Sequence, residues 1–159
     1  MATAIVGASG EHYVAAFLSG QGLIVALPRA GVKGSDLLVA DEDGNPLRIQ
    51  VKTARDARGI DKVGEFFSWD TSYSVLKRPD PFTWFAYVSL NQWPMKPNLP
   101  EVFFVPSTIV CAHIEMQQAT KSKRPFFWMY VDSARPYNGL NGFELMKNAM
   151  RPTNAPESH

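Results

Sequence analysis

Three polar residues in the first half of the chain have side chains that could act together in a functional site, and their spacing is regular. Asp36 begins an apolar, strand-like segment, and Gln50 and Lys52 lie two positions apart in an alternating segment. In an antiparallel hairpin with a loop of three or five residues, Asp36 lies directly across from Gln50, and Lys52 projects from the same face. A carboxylate, an amide oxygen and an amine would then share one surface.

Glu11 joins this set through helical spacing. It shares a face of the first predicted helix with the apolar residues three, four and seven positions further on, Val14, Ala15 and Leu18. A carboxylate on an apolar face is costly to bury unless a cation offsets its charge, and either Lys52 or a divalent ion would serve.

Each of these residues also has an ordinary structural explanation. Glu11 could simply stabilise the first turn of its helix through the helix dipole. Asp36 could do no more than begin a strand, and Gln50 and Lys52 could belong to the solvated face of an edge hairpin. The order of the four residues along the chain favours the functional interpretation.

Local patterns predict the elements that position these residues. A helix is predicted over 9–19, with Ser9 as its N-cap and Gly20 and Gly22 beyond its end. The sequence Asp41-Glu42-Asp43-Gly44-Asn45 is typical of a turn and predicts a hairpin of strands 35–40 and 47–53. The polar stretch 54–68 is predicted to be a broken helix or a mobile loop. The remaining predictions are strands over 23–27, 82–90, 102–105 and 126–131 and helices over 106–119 and 141–150.

This order of elements predicts an α/β (α+β) fold with a mixed central sheet flanked by helices, in a single domain over residues 1–150. The tail 151–159 is polar, contains two prolines and is predicted to be disordered. No apolar run approaches the roughly 20 residues of a membrane span, and the start lacks the pattern of a signal peptide. With a single cysteine, Cys111, a disulfide framework is excluded and a cytoplasmic location is expected.

The net charge of +1 does not by itself indicate a nucleic-acid partner. The distribution of charge is more informative, because residues 48–78 carry seven basic side chains against four acidic ones. The aromatic segment 126–130 is interpreted as strand core in preference to a base-stacking surface. Gly7-Ala8-Ser9-Gly10 lacks the ending of a phosphate-binding loop.

The motifs resemble those of the PD-(D/E)XK nuclease superfamily, which has the restriction-endonuclease-like fold. The resemblance spans about residues 7–131, but the recognisable motifs are Gly10-Glu11, Gly34-Ser35-Asp36-Leu37 and Ile49-Gln50-Val51-Lys52-Thr53. Ser35 replaces the proline of the motif, and Gln50 replaces its acidic residue, as in the Q-x-K variants of some Mrr-type restriction enzymes.

The resemblance implies a metal-dependent deoxyribonuclease with Glu11, Asp36, Gln50 and Lys52 as its catalytic residues. It implies Mg²⁺ or Mn²⁺ bound by Asp36, Gln50, Glu11 and the Val51 carbonyl, since these ions prefer oxygen ligands. The basic residues expected to contact DNA phosphates are Lys33, Arg55, Arg58 and Lys62. A homodimer would cut both strands. The alternative is a nuclease-fold module, weak or inactive as an enzyme, that binds nucleic acid or a protein partner, because Gln50 carries no charge.

Overall fold

The computed structural model describes residues 3–28, 35–77 and 80–150, in which eight strands and four α-helices are formed. The strands are β1 Ile24–Ala26, β2 Leu37–Ala40, β3 Pro46–Ala54, β4 Arg58–Ile60, β5 Glu65–Asp70, β6 Thr83–Ser89, β7 Glu101–Pro106 and β8 Phe126–Tyr130. The helices are α1 Thr3–Gly20, α2 Ser107–Ala119, α3 Val131–Ala134 and α4 Gly139–Met150, with short 3₁₀ turns at Tyr73–Lys77 and Arg135–Tyr137.

Five of the strands form a central mixed sheet in the order β1-β2-β3-β6-β7. The β3–β6 pair is parallel, and the other neighbours are antiparallel. Strands β4, β5 and β8 form a second, antiparallel sheet. The predicted fold class is confirmed, although the second sheet is not among the predicted features.

The central sheet is buried on both faces. On one face, α1 and α4 enclose a core that includes Leu37, Ile49 and Phe104. On the other face, Tyr87 and Phe103 pack against α2 and the second sheet. The indole N–H of Trp69 in β5 donates to the Val88 carbonyl over 2.9 Å and ties the second sheet to the first. Burial on both sides explains why the sequence of β6 is almost continuously apolar.

Two local predictions are wrong. Helix α1 begins at Thr3, so Ser9 lies inside it, where its hydroxyl donates to the Ile5 carbonyl over 2.8 Å instead of capping the N-terminus. The stretch 54–68 contains β4 and most of β5, joined by a turn in which the Asp61 carboxylate accepts the Val63 and Gly64 N–H groups over 2.8 and 3.0 Å. Strand β4 pairs only with β5 among the described strands, and β5 pairs in turn with β8, which is remote in sequence, so the local pattern of this hairpin is weak.

The other predicted elements agree with the structure to within a few residues. Cys111 is free and buried, as expected for a small apolar residue. No helix within the described ranges is long and apolar enough to cross a membrane. Lys33 and the tail 151–159 lie outside the described residues. The DNA contact of Lys33 and the disorder of the tail therefore remain predictions.

Candidate functional site

The β2–β3 hairpin has the predicted register. Its pairs run from Leu37↔Ile49 to Ala40↔Pro46, which leaves a five-residue loop, 41–45. The Asp41 carboxylate closes this loop by accepting the Asn45 N–H over 2.8 Å and the Asp43 N–H over 3.1 Å. Asp36 therefore lies one residue beyond the last pair, level with Gln50.

The Asp36 side chain takes the place of a main-chain acceptor where β2 ends. Its Oδ2 accepts the Val51 N–H over 2.7 Å, while its own N–H donates to the Ile49 carbonyl over 3.0 Å. Because the N–H and C=O of one strand residue point to the same side, the Val51 carbonyl also faces this edge of β3. The bond to Val51 positions the Asp36 carboxylate and leaves its second oxygen for another ligand.

The side chains of β3 alternate as predicted. Ile49 and Val51 are buried in the core beneath α1. Gln50 and Lys52 are half-buried and project from the opposite face. Helix α1 and the Lys52 side chain therefore lie on opposite faces of β3.

A glycine brings α1 unusually close to β3. A Cβ added at Gly10 would lie 1.8 Å from Thr53 Oγ1 and 2.9 Å from Thr53 Cβ, so only glycine fits at this position. This contact sets the next residue, Glu11, against the sheet. Partial burial, followed by repulsion from the negative charge of Asp36, raises the pKa of Glu11 above its usual value. The two carboxylates are thus near enough to repel each other.

Gly10→Ala is expected to destabilise the protein by about 1–3 kcal/mol, because the branched Thr53 side chain must move or α1 must shift outward. Gly7→Ala is the matched control, since its added methyl group meets nothing within 4 Å in the same helix. The control should gain up to about 1 kcal/mol from helix propensity alone. Chemical unfolding measures both. Equal effects of the two substitutions would contradict the close approach.

A cleft of about 670 Å³ opens at the carboxyl end of β3. Its walls come from Gly7 in α1, from Lys52 and its neighbours in β3, and from β4 and β5. Glu11 lies one helical turn after Gly7 and therefore on the same side of α1. Within the described ranges, no carboxylate forms an ion pair with Lys52. An amine that is not held in a direct ion pair can bind an anion, and the acidic residues Asp56 and Asp70 also line this cleft.

The predicted basic residues differ in their surroundings. The Arg58 guanidinium is bound by Glu101 over 3.1 Å and lies 4.8 Å from the centre of the Phe67 ring. A DNA phosphate would have to compete with Glu101 for this guanidinium. Arg55 follows the end of β3, and Lys62 is exposed in the turn between β4 and β5.

The oxygen donors at the edge of β3 have the chemistry that a hard divalent cation requires. Glu11 and Asp36 offer two carboxylates, of which the charge of Asp36 contributes to the raised pKa of Glu11, and Gln50 and the Val51 carbonyl provide neutral oxygens. In the part of the chain that the structure describes, no three His, Cys, Asp or Glu side chains cluster as metal ligands. The donor set therefore suits Mg²⁺ or Mn²⁺, with only two negative charges to hold the ion.

The mixed sheet, with its flanking helices and the hairpin at its centre, matches the fold of an endonuclease of known structure. The chain superimposes on the structure of a bacterial homing endonuclease, I-Ssp6803I, with a TM-score of 0.58. The two are 12% identical, and the match covers 93% of this chain and 94% of the other. At this identity the likeness establishes the fold alone. No protein-family model matches the sequence, and no curated protein matches it either.

Proposed function

We propose that this protein is a metal-dependent endonuclease of the PD-(D/E)XK type that hydrolyses phosphodiester bonds of DNA. The main support is the Asp36 carboxylate, which the Val51 N–H holds at 2.7 Å on the open edge of β3, near Glu11. The likeness in fold to a homing endonuclease of known structure is further support. Asp36, Glu11, Gln50 and the Val51 carbonyl would hold Mg²⁺ or Mn²⁺.

In this proposal, a bound divalent ion supplies a water of lowered pKa and neutralises charge on the phosphate. Lys52 projects into the cleft from the neighbouring position on β3, so its amine would orient the attacking water or stabilise the growing negative charge. Asp36 keeps its orientation through the bond to Val51, and Glu11 keeps its position through the contact of Gly10 with Thr53. Arg55 and Lys62 would bind phosphates on either side.

The direct test is incubation of the folded protein with supercoiled, linear and branched DNA in Mg²⁺ or Mn²⁺, with a chelator as the control. We expect nicked or linear products that the chelator suppresses. If the folded protein cleaves no form of DNA with either ion, the catalytic proposal fails.

The second candidate is a nuclease-fold module that binds nucleic acid or a protein partner and has lost catalysis. Gln50 favours it, because an amide at this position removes one negative charge from the site. Titration calorimetry separates the two candidates. A catalytic site should take up Mn²⁺ and lose that uptake in Glu11→Gln, whereas an inactive module should bind nucleic acid without taking up the ion.

Metal affinity and cleavage are expected to decline on acidification at a higher pH than for an ordinary glutamate, whose pKa is 4.5. Burial and the charge of Asp36 raise the pKa of Glu11, so protons compete with the ion as the pH falls through that raised value. Calorimetry of Mn²⁺ binding in buffers of different ionisation enthalpy measures the released protons. Glu11→Gln should abolish this release, and an unchanged release would refute the role of Glu11.

A further inference from the structure

We propose that the outer face of the β4-β5-β8 sheet stacks an unpaired base of the substrate strand, beside the cleft that holds Lys52. This aromatic face consists of Phe66, Phe126, Trp128 and Tyr130. That the bound strand is a nuclease substrate rests on the proposed function. That its base stacks is argued from the exposed rings themselves.

Strand β8 sends its aromatic side chains to two different surfaces. Phe127 and Met129 are buried in the core, whereas Phe126 and Trp128 are each 40% exposed on the opposite side. The register Phe66↔Tyr130 brings two further rings onto that outer side. The interpretation of 126–130 as strand core therefore holds for alternate residues only, and the others form a solvent-facing aromatic surface.

The exposed rings are held in place without being buried. His113 and Tyr130 both contact Trp128 edge-on, with ring centres 5.3 Å away in each case. The Tyr130 hydroxyl donates to Asp61 over 3.1 Å. Phe66 lies over Gly59, where an added Cβ would come within 2.5 Å of the ring. An ordered, accessible ring loses little conformational freedom on binding, which favours a role in recognition.

The aromatic face is continuous with the Lys52 cleft. It encloses a pocket of about 330 Å³, and three of the residues that line this pocket also line the cleft: Phe66, Ser68 and Phe126. A strand with one phosphate beside Lys52 can therefore lay a neighbouring nucleotide on these rings.

Cations at both ends of the aromatic face favour a nucleic acid over an apolar protein partner. Lys123 and Arg124 lie three and two residues before Phe126, and Lys62 occupies the turn at the other end of the sheet, next to Asp61, whose carboxylate accepts the Tyr130 hydroxyl. Phosphates on either side of the stacked base would meet these cations. The base must be unpaired, because a base in a duplex stacks on its neighbours and offers no face to a protein ring.

The test measures binding of a fluorescent single-stranded oligonucleotide in chelator, where cleavage does not occur. We expect Trp128→Ala to weaken binding about tenfold and Trp128→Phe to restore most of it, since any ring can stack. Trp93→Ala is the matched control, because Trp93 is 41% exposed but lies on the loop after β6. An abasic nucleotide in the oligonucleotide should weaken the wild type and leave Trp128→Ala unchanged.

Binding by folded Trp128→Ala within about twofold of the wild type would overturn the inference. The inference would also be overturned if Trp93→Ala lost as much affinity as Trp128→Ala, or if Trp128→Ala lost as much affinity for fully paired DNA. The same holds if the wild type does not bind single-stranded DNA. The two proposals fail separately. A Trp128 effect without cleavage would refute catalysis and keep the stacking surface, whereas cleavage without a Trp128 effect would do the opposite.

Discussion

Replacing Lys52 with methionine is expected to lower the rate of metal-dependent DNA cleavage by about 100-fold or more, while DNA affinity changes little. Methionine keeps the length of the apolar stem and removes only the charge. Since no carboxylate within the described ranges pairs with Lys52, the folded state loses no ion pair. The loss should therefore fall on the chemical step and not on stability.

Two comparisons make the Lys52 experiment specific. Lys52→Arg retains the charge but changes its shape, so it should recover only part of the rate. Lys147→Met removes a lysine from α4, where it contacts the Phe143 ring at 5.9 Å, and should leave cleavage unchanged. Rates are measured under single-turnover conditions, with binding followed in chelator. Full cleavage by Lys52→Met would remove the assigned site.

Asp36→Asn and Asp36→Ala are expected to separate the two roles of this carboxylate. Both substitutions remove the charge, so both should weaken Mn²⁺ binding by about tenfold or more. Asparagine retains an oxygen that can accept the Val51 N–H, whereas alanine leaves that donor without its acceptor at a cost of about 1–3 kcal/mol. Only the alanine variant should be strongly destabilised.

The sign of the change in melting temperature of Asp36→Asn tests whether Asp36 binds the metal ion. In the metal-free protein, Asp36→Asn removes the repulsion that contributes to the raised pKa of Glu11, so its melting temperature should equal or exceed that of the wild type. Excess Mn²⁺ should reverse the order, because the ion stabilises only the protein that binds it. Thermal unfolding with and without Mn²⁺ measures both effects. A wild type that Mn²⁺ does not stabilise would contradict metal binding at Asp36.

Gln50 gives this site its distinctive electrostatics. In the proposed site, Gln50 is an amide where the resemblance implies an acidic residue, so the negative charge would come from Glu11 and Asp36. The Val51 carbonyl becomes correspondingly important, and its direction follows from the bond between its own N–H and Asp36. This dependence on Asp36 is the reason that its substitutions are expected to have large effects.

The sequence alone was sufficient to predict the central hairpin. The turn residues 41–45 and the alternation of β3 are local properties, and together they determine the pairing of Leu37 with Ile49 and the face of Lys52. The apolar face of α1 was predictable for the same reason, since residues on one helical face are close in sequence. The fold class follows from the order of such elements.

The close packing around the site could not be predicted in this way. The segment Gly7-Ala8-Ser9-Gly10 lies inside α1, where Gly10 packs directly against Thr53 of β3. A glycine inside a helix is only a weak signal of close packing, and Thr53, the partner of Gly10, is more than forty residues away.

Tertiary structure also decided the second wall of the cleft. Strand β5 pairs with β8, and Arg58 forms its ion pair with Glu101. Both partners are distant in sequence, and neither pattern is strong by itself. Local chemistry thus determined which side chains share a face, because turn geometry and helical period act over a few residues. Long-range packing determined which faces meet, because burial is satisfied only when remote elements come together.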